Sequence, residues 1–88
     1  MMSMYVIIPM KAGEIMDRRN AERHFVYIIN QIDKEYKDEC NMCIDVFLEE
    51  EFTREELKRM LAYLLEKVSA DRYDMVKERL EKEFGSFD

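Results

Sequence analysis

The sequence predicts a single, mainly α-helical domain over residues 1–88, and three observations carry that expectation. Thr53 to Ser69 holds one apolar stripe at helical spacing behind a double start signal. Two further segments, 17–38 and 72–84, repeat apolar residues with the same period. An apolar fraction of 48% beside a charged fraction of 39% leaves enough apolar material for a core despite the heavy charge.

Taking the elements in order, 1–12 reads as an extended segment. Met4-Tyr5-Val6-Ile7-Ile8 is β-prone and is closed by Pro9, which cannot continue a central strand. The same run is too short for a signal-peptide core, and no positive charge precedes it, so a cytoplasmic protein is expected. A long central helix is expected over 17–38, capped by Asp17 and built on Ala21, Phe25, Ile28, Ile29, Ile32 and Tyr36. Phe25, Val26, Tyr27, Ile28 and Ile29 are consecutive, which puts apolar groups around more than one side of that helix. With few elements available to surround it, these five residues form the expected interface of a homo-oligomer.

Residues 42–50 read as a short helix or a strand. Ile44, Val46 and Leu48 alternate, whereas Ile44, Phe47 and Leu48 also fit a helical turn, with Asn41 as cap. The helical reading is preferred; the alternative is an α+β order β-α-β-α-α with short strands at 4–8 and 42–48. The C-terminal part reads as an αα-hairpin of 54–69 and 72–84. Thr53 and Glu56 match a capping box, Phe52 and Leu57 a hydrophobic staple, and Leu57, Met60, Leu61, Leu64, Leu65 and Val68 the buried stripe. In the second arm Asp71 is the expected N-cap, Tyr73, Val76, Leu80 and Phe84 the apolar face, and Gly85 the C-cap. No internal repeat is visible in the residue types.

Charge is the most informative functional feature. The chain carries a net −6, and the segment 25–52 by itself carries −6, against +1 for 1–24 and −1 for 53–88. That balance argues against direct binding of nucleic acid, which needs a basic face. No apolar run approaches the roughly 20 residues of a membrane-spanning helix, so no membrane partner is expected. Two glycines, Gly13 and Gly85, cannot write a phosphate-cradling loop, and a calcium loop from Asp33 fails at Asp38 and Ile44. The Cys40-Asn41-Met42-Cys43 pair lacks the further ligands of a zinc site and stands in acidic surroundings that disfavour thiolate. A structural role is therefore expected for Cys40 and Cys43, with a metal or redox switch as an alternative. His24, the lone histidine, flanks the apolar face of the central helix and has no nucleophile to serve. Arg18, Arg19 and Arg23 are expected to pair with nearby carboxylates rather than grip an anion.

These exclusions leave a non-catalytic protein with no cofactor. Asp33, Glu35, Asp38, Glu39, Asp45, Glu49, Glu50 and Glu51 are the expected partner-binding residues, steering toward a basic protein and standing in for the phosphates of nucleic acid. By size and charge the profile is that of small phage-type inhibitors and immunity-like regulators. A homo-oligomeric assembly subunit is the alternative.

Overall fold

The computed structural model describes residues 15–87. They form four helices: α1, Arg18–Ile29; α2, Lys34–Phe47; α3, Arg54–Leu65; and α4, Ala70–Phe84. The mainly α expectation holds, with no strand among the described residues, and 42–48 lies inside and at the end of α2 rather than in a sheet. The extended segment 1–12, and with it the alternative strand at 4–8, falls outside the described residues.

The expected central helix over 17–38 is in fact two helices, and the short element at 42–50 belongs to the second of them. The break at 30–33 has a tertiary cause. Ile32 leaves the helical path to form an isolated antiparallel bridge with Val68, and Asp33 takes the N-cap position of α2 with extended backbone. The apolar period runs through Ile28, Ile32 and Tyr36 without glycine or proline, so the only local marks of the interruption are Asn30 and Asp33, residue types that favour helix ends.

Local signals are realised where they are made by near neighbours. Thr53 Oγ1 accepts from Glu56 N at 3.1 Å while Glu56 Oε1 accepts from Thr53 N at 2.8 Å, which closes the capping box of α3. Asp17 caps α1 through a 3.3 Å bond from Arg19 N. Gly85 closes α4 at φ +85°, backbone that side-chain-bearing residues avoid. Asp71, expected as the cap of α4, sits instead in its first turn, and Ser69 holds the N-cap position.

The architecture is a duplicated helix–loop–helix. A displacement of 36 residues lays Arg18 on Arg54, Ile29 on Leu65 and Lys34 on Ala70, so the first helix pair maps onto the second. The buried residues follow the same displacement: Ala21 with Leu57, Phe25 with Leu61, Ile28 with Leu64, Ile32 with Val68, Cys40 with Val76, Ile44 with Leu80 and Leu48 with Phe84. Equivalent residues also meet each other. Ile32 bridges Val68, and Ser69 Oγ donates to Asp33 Oδ1 at 3.0 Å. An approximate two-fold axis therefore passes between the 30–33 and 66–69 turns, with α1 packed on α3 across it and α2 and α4 outside. The many-sided apolar character of α1 is explained inside the chain, since α2, α3 and α4 all touch it.

Candidate functional site

Helix α2 is where the acidic segment and the fold meet. Cys40 and Ile44 point into the core and Tyr36, Cys43 and Phe47 are half-buried on one flank. At 100° per residue, the opposite face carries Glu35, Asp38, Glu39 and Asp45 around Met42 and Val46. All four carboxylates are exposed, as are Glu49, Glu50 and Glu51 in the turn that follows. None of Glu35, Asp38, Glu39, Asp45, Glu49 and Glu50 makes an ion pair with a described lysine or arginine. Asp33 differs from the rest. It is half-buried, and its carboxylate accepts from Ser69 at the axis, which makes it part of the scaffold rather than of the acidic face.

The structure adds an apolar element that the charge pattern did not reveal. Met42 is 70% exposed and Val46 66% exposed, one helical turn apart at the centre of the carboxylates. Together with Cys43, Phe47, Met60 and Tyr63 they line a shallow, widely open and almost wholly apolar groove of 480 Å³ between α2 and α3. Lys67, in the turn between α3 and α4, holds its ammonium 5.6 Å from the Tyr63 ring and 5.3 Å from that of Tyr36. Met42 and Val46 at i and i+4 among acidic residues were the available sequence signal, masked by the alternation of Ile44, Val46 and Leu48.

The five residues expected as an oligomer interface are distributed differently. Phe25 and Ile28 are buried in the chain's own core, with Phe25 edge-on to Phe47 at 5.7 Å, and they are not available to another copy. Tyr27 lies under the Arg79 guanidinium at 4.1 Å, and Ile29 is half-buried against the core. Val26 alone of the five is exposed, at 64%, beside a 350 Å³ hollow between α1 and α2.

The two cysteines are both free and differ in setting. Cys40 is fully buried and its thiol is pushed up, first by burial and then by Cys43 and Glu39, with Lys67 opposing. Cys43 is half-buried on the groove wall, where it is the main cause of a raised Tyr63 hydroxyl. No cluster of three or more His, Cys, Asp or Glu with metal-binding geometry occurs among the described residues. His24 sits edge-on to Phe84 at 5.0 Å, its pKa lowered first by burial, with Glu83 opposing and Arg79 and Arg54 assisting. Arg18 pairs with Glu22 at 3.9 Å, as expected of the basic cluster. No helix among the described residues is long and apolar enough to cross a membrane.

No protein-family model matches the chain, and neither does any curated protein or solved structure.

Proposed function

We propose that the protein is a non-catalytic regulator or inhibitor that docks on a basic protein partner through the exposed face of α2 and the turn after it. The observation that carries this reading is the set of unpaired carboxylates Glu35, Asp38, Glu39, Asp45, Glu49 and Glu50 gathered on one helix and its C-terminal turn. Like charges one turn apart repel, so the arrangement costs folding stability and is relieved by a cationic surface. Carboxylates at this density present a basic protein with acceptors of the kind it meets on a phosphate backbone, which points to partners that themselves hold nucleic acid.

The test is a four-site charge reversal, Glu35→Lys, Glu39→Lys, Glu49→Lys and Glu50→Lys, in a pull-down followed by affinity measurement at low and high salt. All four side chains are exposed, so circular dichroism should be unchanged. Capture of a basic protein should disappear, and wild-type affinity should fall steeply with salt. Retained capture by the reversed protein refutes the reading, as does salt-insensitive affinity.

A further inference from the structure

The duplicated fold contains two equivalent grooves, and they are finished differently. The 36-residue displacement carries His24, Tyr27, Arg79, Lys82 and Glu83 of the α1–α4 cavity onto Met60, Tyr63, Cys43, Val46 and Phe47 of the α2–α3 groove. In the α1–α4 cavity the chain supplies its own polar cover: the Arg79 guanidinium lies on Tyr27, and His24 packs against Phe84. In the α2–α3 groove the position of Arg79 is taken by Cys43 and those of Lys82 and Glu83 by Val46 and Phe47. The result is an open apolar depression with the Lys67 ammonium over Tyr63 at one end, and with Glu35, Asp38, Glu39 and Asp45 exposed on α2 around Met42 and Val46.

We propose that this groove is the anchor seat of the docking surface, and that its occupant is a basic amphipathic helix of the partner that inserts one or two large apolar side chains between Met42, Val46, Met60 and Tyr63. The proposal rests on the partner reading above and specifies what the partner presents. Charge complementarity selects this occupant over a second copy of the chain. A symmetric self-dimer across the groove would face the four carboxylates of α2 with their own equivalents, whereas lysines or arginines on the flanks of an incoming helix meet them in register. The methionines suit the task, being unbranched and polarizable and so able to repack around an inserted side chain. A groove between two helices is the setting in which an amphipathic helix is bound by anchors one turn apart.

The experiment uses two fluorescent peptides of equal charge: a leucine–lysine amphipathic helix of about 15 residues, roughly four turns, and a lysine–serine peptide lacking apolar residues. Three proteins are titrated: wild type, the groove variant Met42→Ser/Val46→Ser, and the charge variant Glu35→Gln/Glu39→Gln. Met42→Ser/Val46→Ser leaves the charges and the buried core untouched, and matching urea midpoints establish an intact fold for both variants. The expected result is that wild type binds the leucine–lysine helix at least about tenfold tighter than the lysine–serine peptide. The groove variant should lose that advantage while keeping its affinity for the lysine–serine peptide, and the charge variant should weaken on both. Cys43 supplies an independent reporter, because Cys40 is fully buried and Cys43 lines the groove; bound leucine–lysine helix should slow its alkylation. Equal binding of both peptides by wild type, with the groove variant unchanged, overturns the groove proposal and leaves the acidic docking surface standing. Binding of neither peptide overturns both. Sedimentation that shows a dimer in wild type and a monomer in Met42→Ser/Val46→Ser overturns the proposal in favour of a second copy.

Discussion

Asp33 and Ser69 occupy the N-cap positions of α2 and α4, yet neither side chain caps its own helix. They bond to each other across the approximate two-fold axis at 3.0 Å. A double-mutant cycle of Ser69→Ala and Asp33→Ala measures what this contact contributes. A hydrogen bond to an ionised acceptor is worth about 1.5–3 kcal/mol, and because both residues are half-buried the lower end applies. Ser69→Ala leaves the Asp33 carboxylate open to water, so the single change should cost about 1 kcal/mol. Asp33→Ala also removes a negative charge from the start of α2 and should cost roughly 0.3–1 kcal/mol more. Coupling, which isolates the contact from that charge effect, should be about 1 kcal/mol. With a urea slope of about 1 kcal/mol per molar for so small a domain, Ser69→Ala should shift the midpoint by about 1 M and Asp33→Ala by about 1.3–2 M. Strictly additive single and double variants would show that the axis is held by the core alone. The same variants separate scaffold from surface: Asp33→Ala should lower stability without weakening capture of a basic partner, unlike the reversal at Glu35 and Glu39.

Other expectations follow from the packing and the titrating groups. Leu61 and Leu64 are fully buried on α3, so replacing either with Ala should cost about 2–5 kcal/mol in chemical denaturation; silence at both would mean that the α3 stripe faces solvent. Thr53→Ala removes half of the capping box and should cost about 1 kcal/mol, checked by the same midpoint shift. Burial lowers the His24 pKa below its unfolded value near 6.5. Between those two values the unfolded chain binds more protons than the folded one. Stability is therefore complete above that window and falls as pH is lowered through it. His24→Phe, which keeps a ring against Phe84, should flatten the decline between pH 7 and pH 5; an unchanged decline would assign it to another group.

What the residues announced in advance depended on how far the decisive contact lies along the chain. The capping box at Thr53 and Glu56, the cap at Asp17 and the stripe from Leu57 to Val68 involve partners two to eleven residues apart, and all are present. The duplication is not legible in the residue types because equivalent positions keep burial and not identity. Phe25 answers to Leu61 and Cys40 to Val76, and exact matches such as Tyr27 with Tyr63 are sparse. Apolar packing needs volume and shape at a site rather than a given residue, so a fold can repeat where its letters do not.

Helix type, the cap of α3 and the concentration of negative charge in 25–52 were settled by local chemistry and composition, because helical hydrogen bonding and charge count need no distant partner. Folding back of the chain decided the rest. It ended α1 at Ile29 by pairing Ile32 with Val68, turned Phe25 and Ile28 inward, and brought Met60 and Tyr63 beside Met42 and Val46. Each of those outcomes joins residues 14 to 36 positions apart, and a pattern read along one helix has no term for a neighbour supplied by another.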